Sequence, residues 1–172
     1  MKRLIEFVRV AATYGSLACL GIVLTRATWG VSSIWPANGL IVGLFFNGRK
    51  TRWGNLASAV AVGGCIANVL FLRDRAVVPL FTIGNIVEVL ALWLSLSVSR
   101  TPVSAVSNPR NLFWFLIWAV LFPASVSALT VGVAAHLTLV WPPLVVSRSW
   151  IFSDALGIAL FIPLGHAIQR LQ

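Results

Sequence analysis

The sequence predicts an all-α, polytopic integral membrane bundle of about six transmembrane helices with both termini in the cytoplasm. Three observations carry this reading. The 172 residues are 59% hydrophobic with only 10% charged residues and a mean hydropathy of +0.93, outside the range of soluble domains. The apolar residues fall into long runs separated by short connections rich in Arg, Pro and Gly. The basic residues are unevenly divided among those connections.

Six spans follow, near residues 10–25, 33–47, 54–72, 77–98, 112–136 and 150–168, forming one membrane-embedded domain with no output domain. The second is short for a full crossing, so it either begins nearer Val31 or lies close to a protein-filled centre. Pro123 interrupts the fifth, and Trp141-Pro142-Pro143 suits an interfacial turn in the loop before the sixth. Met1-Lys2-Arg3 before an apolar run resembles a signal peptide, but further apolar runs follow, so it reads as a retained first helix. With the N-terminus inside, Lys2, Arg3, Arg9, Arg49, Lys50, Arg52, Arg100, Arg110 and Arg170 are internal. Only Arg26, Arg73, Arg75 and Arg148 are external. The formal charge of +9 is therefore that of inside-facing loops and not of a nucleic-acid binder.

Small residues recur every fourth position, in the rows Ala59, Gly63, Ala67 and Ala124, Ala128, Gly132, His136, and mark faces where helices approach closely. Cys19 and Cys65 lie inside apolar runs without metal spacing and read as small buried residues. His136 and His166, near helix ends, read as interfacial.

The polar residues inside the spans carry whatever chemistry the chain has. Ser32 and Ser33 can cap a helix, Pro36 suits its first turn, and Trp35 sits at its mouth, with Asn38 and Gly39 one turn inside. Asn85 and Glu88, three apart, share a face of the fourth helix. Asp154, with Gly157 three residues on, lies in the first turn of the sixth, and Asn68 near the outer end of the third. Glu88 is eleven residues past Val77, about 16 Å deep at 1.5 Å per residue, near the middle of the bilayer core. Asp154 is shallower, about 6 Å past Trp150 on the same rise. A carboxyl as deep as Glu88 must be protonated, paired or watered, which makes it the foremost site candidate. The plainer alternatives are a helix cap for Asp154 and interhelical hydrogen-bonding for the asparagines. No Walker loop, nucleophile elbow or HExxH occurs, and the four acidic residues Glu6, Asp74, Glu88 and Asp154 give hydrolytic or metal chemistry little to work with. An enzyme, a cofactor and a metal are therefore not expected.

Three stretches together carry a family resemblance: Ser33-Ile34-Trp35-Pro36-Ala37-Asn38-Gly39, then Gly84-Asn85-Ile86-Val87-Glu88, then Ser153-Asp154-Ala155-Leu156-Gly157-Ile158 with Pro163-Leu164. In this order they resemble the first class of MASE, membrane-associated sensor domains N-terminal to bacterial histidine kinases and diguanylate cyclases. Val126-Ser127-Ala128 fits as well. The resemblance covers nearly the whole chain, with the WPANG segment its most specific part. It implies a sensor in the bacterial inner membrane that relays an unknown stimulus or small ligand to a cytoplasmic output module, in two-component or cyclic-di-GMP signalling. Trp35, Pro36, Asn38, Asn85, Glu88, Asp154 and Gly157 are its candidate ligand-binding or signalling residues, and Asn68 joins them from the reading of the spans. Family members usually continue into a kinase, cyclase or phosphodiesterase module, whereas this chain stops at Gln172, as an excised or stand-alone sensor would. The expected partners are the lipid bilayer, an output module, a second copy of the chain and a small ligand, but no nucleic acid. A small-molecule-binding subunit of a transporter and a membrane scaffold are the alternative functions.

The charge bias sets one expectation directly. A reporter fused after residue 172 should be active if it works only in the cytoplasm and silent if it must be exported. Export-dependent activity would invert the bundle.

Overall fold

The computed structural model describes residues 1–25, 32–45, 52–72, 75–99, 108–139 and 142–171. The connections holding Arg26, Arg49, Lys50, Arg73, Asp74, Arg100 and Trp141 lie outside the described residues, as do Val31, Phe46 and Asn47 from the second predicted span. The described residues form six helices and make the chain an all-α bundle. They are α1 (Lys2–Thr25), α2 (Pro36–Phe45), α3 (Trp53–Phe71), α4 (Val77–Ser99), α5 (Pro109–Leu139) and α6 (Pro143–Arg170). All but α2 are long and apolar enough to cross a membrane. The exteriors agree: Leu4, Leu20, Ile66, Leu70, Ile83, Leu94, Leu129, Leu137 and Leu160 are exposed along five helices, a surface suited to lipid and not to water.

The helices alternate in direction. Gly15 of α1 meets Gly63 of α3, with Arg3 and Arg52 together at one end, so α1 and α3 run parallel. Gly39 meets Gly157 and Gly43 meets Gly165, so α2 and α6 run parallel as well. Trp53 of α3 stacks near Trp93 of α4, with ring centroids 5.8 Å apart, which sets α4 antiparallel to α3. Both termini consequently lie at one face of the bundle. Around its perimeter α1 packs on α3, α3 on α4, α4 on α5, α5 on α6 and α6 on α2, and α2 also touches α1 and α4.

Several elements extend beyond the predicted spans. The first helix begins at Lys2. The fifth begins at Pro109, capped by Asn108, whose side chain accepts the Arg110 amide at 2.9 Å. Pro123 does not interrupt α5. The six residues Leu116–Leu121 just before it form a wider π turn, so the helix passes the proline without a break. The sixth helix begins at Pro143, two turns before the predicted start, with Pro142 before it as cap. Pro143 is thus the first residue of the helix, a position where a proline is tolerated. Cys65 is exposed on the outside of α3 and Cys19 is half-buried, because neither sits on its helix's inward row. In the second small-residue row, Ala124, Ala128 and Gly132 are buried but His136 is exposed, and Ala135 takes the inward position.

The second helix is the exception in length. It has ten residues, about 15 Å at the α-helical rise, half of a bilayer core. Its first residue, Pro36, follows a non-helical stretch, Ser32–Trp35, laid against α6, where the Trp35 amide donates to the Ser153 carbonyl at 3.1 Å. Ser153 is ten residues into α6, so α2 starts about 15 Å deep, at the middle of the bundle. The serines do not cap it: Ser33 is exposed and the Ser32 hydroxyl is buried without a partner. Non-helical backbone at such depth is tolerated only inside protein or beside a cavity.

What holds α2 there is close backbone approach. A Cβ on Gly39 would stand 2.5 Å from the Gly157 carbonyl oxygen, and one on Gly43 2.5 Å from that of Ile162. A Cβ on Gly157 would collide with the Trp35 carbonyl. Gly157→Ala should therefore lower stability by about 1–3 kcal/mol, as overpacking does. Gly54→Ala, with nothing within 4 Å, should be neutral or slightly stabilising. Reversible unfolding of both variants in mixed micelles checks the contrast.

Candidate functional site

The buried polar residues of four helices meet at the middle of the bundle. Asn38, Asn85, Glu88 and Asp154 are each no more than 2% exposed, and so is Tyr14 of α1. Register explains the meeting. Glu88 is eleven residues beyond Val77, the start of α4, and Asp154 eleven beyond Pro143, the start of α6. Both helices enter from the face opposite the termini, so both acids lie about 16 Å down. The first-turn position predicted for Asp154, and with it a helix-capping role, does not hold, because α6 starts earlier than its hydropathy suggested. The N-terminus of α2 arrives at the same depth from the middle of the bundle, bringing Asn38 into its first turn.

A directional chain of hydrogen bonds links three of these helices, α1, α2 and α4. The Tyr14 hydroxyl donates to Asn38 Oδ1 at 2.8 Å, Asn38 Nδ2 donates to Asn85 Oδ1 at 2.9 Å, and Asn85 Nδ2 donates to the Phe81 carbonyl at 2.8 Å. Each amide thus spends its oxygen on one neighbour and its nitrogen on another. In an apolar interior this fixes the orientation of both. Tyr14, the chain's one tyrosine, was not singled out from the sequence. Its signal was available: it lies on the row Val10, Tyr14, Ala18, Ile22, whose members are all buried.

Glu88 lies beside Asp154 and Asn38, one helical turn below Asn85. Neither Glu88 oxygen, nor Asp154 Oδ2, has a hydrogen-bond partner of normal geometry. No basic side chain among the described residues neighbours either acid. Two facing carboxyls without a cation repel unless a proton or a ligand stands between them. The α2 N-terminus, with the positive end of its helix dipole at this depth, favours negative charge there. Its first residue is proline and the Trp35 amide is committed to Ser153, so those two positions offer the acids no free N–H.

A second polar cluster braces the site from α5. Trp150 Nε1 donates to Ser127 Oγ at 2.8 Å, and Ser127 Oγ donates to the Gly84 carbonyl at 2.9 Å. The Trp150 ring packs edge-on against Phe81, centroids 5.0 Å apart, and closes over Gly84, where a Cβ would not fit. Between the acids and the face opposite the termini lies a narrow cleft. Ser32, Trp35, Asn68, Phe81, Trp150 and Asp154 are among the residues that line it, and its free volume is about 20 Å³, room for about one water-sized group.

Of the residues picked from sequence, Asn38, Asn85, Glu88 and Asp154 form the cluster, and Trp35 and Asn68 line the cleft above it. Asn68 stays apart from the relay and donates to Thr82 Oγ1 at 3.4 Å. Gly157 and Pro36 serve packing: the glycine lets Trp35 reach α6, and the proline begins α2. Among the described residues no group of three or more His, Cys, Asp or Glu could hold a metal ion. No family model, no curated protein and no solved structure matches this chain.

The relay predicts coupled energetics. Tyr14→Phe should cost about 1 kcal/mol and Asn38→Ala about 1–3 kcal/mol. The double variant should cost less than the sum, because both remove the same bond. Unfolding of the four proteins in one lipid mixture measures the coupling; strict additivity would mean that the bond contributes nothing.

Proposed function

We propose that this multi-pass membrane protein is a sensory domain that detects a stimulus or small ligand from the face opposite its termini and relays it to a cytoplasmic signalling module. The observation that carries this reading is the hydrogen-bonded chain from Tyr14 through Asn38 to Asn85. It ties α1, α2 and α4 together beside an acid pair without a cationic partner. A ligand or proton that alters the acid pair acts on α2 through Asn38, and α2 is seated on α6. The end of α6 at Arg170 emerges at the face where both termini lie, the position from which an output module would be driven. The signal would be a shift between two packings of α2 on α6, biased by whichever one the ligand prefers.

Lys2, Arg3, Arg9, Arg52, Arg110 and Arg170 belong to the terminal half of the bundle, against Arg75 and Arg148 in the other, which supports a cytoplasmic terminal face. The WPANG, GNIVE and SDALGI stretches, which suggest a MASE-type sensor of the bacterial inner membrane, furnish Trp35, Asn38, Asn85, Glu88 and Asp154, the residues of the central site and cleft. That coincidence supports a histidine kinase or diguanylate cyclase as the output. One feature favours a second reading, the substrate-binding subunit of a transporter: a half-length helix starting at mid-membrane is a device transporters use.

The test is the chain fused at its C-terminus to a diguanylate cyclase or kinase module. At matched membrane abundance, Glu88→Gln should fold and keep a response, whereas Glu88→Leu should fold and lose it, because it removes the hydrogen-bonding group. Pro36→Ala should insert normally and respond more weakly. A wild-type response from Glu88→Leu would remove the acid from the sensing machinery. Substrate uptake by the unfused chain, without an output response, would favour the transporter.

A further inference from the structure

We propose that the cleft above the acid pair binds a small ammonium group, supplied by ammonium or by a short primary amine, with Asp154 as its anionic partner. The proposal deepens the sensory reading and rests on it only for the use to which the ligand is put. Asp154 is 2% exposed, lines the cleft, and keeps its Oδ2 without a partner. A buried carboxylate oxygen in this condition needs a donor, and no basic side chain among the described residues supplies one. Behind it stands Glu88, and a cation held at Asp154 would relieve the repulsion between the two facing carboxyls.

The walls specify the kind of cation. Trp35, Phe81 and Trp150 all line the cleft, and the Trp150 ring is held in place by its bond to Ser127 and its edge contact with Phe81. Aromatic rings attract a desolvated cation through their quadrupoles, which suits an ammonium group. A divalent ion would need several carboxylate or carbonyl oxygens, whereas Asp154 is the only carboxylate lining this cleft among the described residues. Size narrows the choice further. The free volume of about 20 Å³ accepts one water-sized group, which an NH4⁺ or the head of R–NH3⁺ matches and a quaternary ammonium exceeds. Ser32, with its buried hydroxyl also unpartnered, offers a second acceptor to the same group. Asn85 is occupied by Asn38 and the Phe81 carbonyl and contributes shape only.

The experiment uses the purified full chain in nanodiscs, with tryptophan fluorescence as the readout, since Trp35 and Trp150 line the cleft. Ammonium chloride and methylammonium chloride are titrated at constant ionic strength against sodium chloride and tetramethylammonium chloride. The expected result is a saturable change with ammonium, methylammonium or both, and none with sodium or tetramethylammonium. Tighter binding of methylammonium would identify an amine head group as the ligand, and tighter binding of ammonium the free ion. Asp154→Asn should weaken the response by about tenfold or more, as loss of a charge-assisted bond does. The proposal is overturned if neither amine gives a saturable change, if sodium gives the same one, or if folded Asp154→Asn binds like wild type. Should Asp154→Asn fail to fold, the ion series on the wild-type protein decides alone. Binding is read here without an output module. A fusion that signals while the amines do not bind removes the ammonium assignment and leaves the sensor; amine binding without any signalling does the reverse.

Discussion

The seating of α2 on α6, glycine against backbone, is the contact from which the centre of the bundle follows. A ten-residue apolar helix cannot span a bilayer, and the non-helical stretch before it exposes peptide groups that hydrocarbon cannot satisfy. Both problems are solved on one surface. Gly39, Gly43, Gly157 and Gly165 remove the side chains that would hold the helices apart, and the Trp35 amide finds its acceptor in the Ser153 carbonyl. Packing this tight, without a hydrophobic drive between helices in lipid, is what dispersion and backbone contact can supply.

Because α2 begins at mid-depth, its first turn delivers Asn38 to the level that Glu88 and Asp154 reach from the opposite face. The amide then satisfies Tyr14 and Asn85 together, so three helices are registered against one another by a single side chain. The two acids stay outside this satisfied chain. Among the described residues of the site, their oxygens, together with the Ser32 hydroxyl and Trp35 Nε1 in the cleft, are where the pairing of buried polar groups is incomplete. A structure that satisfies its amides and leaves its acids open concentrates electrostatic strain at a point, and strain at a point is what a ligand can relieve.

The bracing on the far side has a different character. Ser127, Gly84 and Trp150 lock α4, α5 and α6 through fully used donors and a ring fitted over a glycine. The π turn before Pro123 lets α5 pass its proline without losing the helix, keeping Ser127 in place one turn later. One side of the cleft is therefore rigid, while the other is the glycine seam, where small shifts change few side-chain contacts.

Hydropathy and charge by themselves determined that the chain is an α-helical membrane bundle, which helices share a direction, and that Asn38, Asn85, Glu88 and Asp154 are its unusual polar residues. Those follow from the length of apolar runs and from the cost of polar groups in lipid, both local properties. The depth of Asp154 was not legible, because the first turns of α6, with two prolines at their start, Arg148, Ser147 and Ser149, look like a loop in hydropathy although they are helical. Nor was the role of Tyr14, since its partner stands twenty-four residues away and only packing brings the two together. That the two acids face one another was decided by tertiary structure alone: each helix fixes its own acid's height, but which helices stand side by side depends on where glycines let backbones meet.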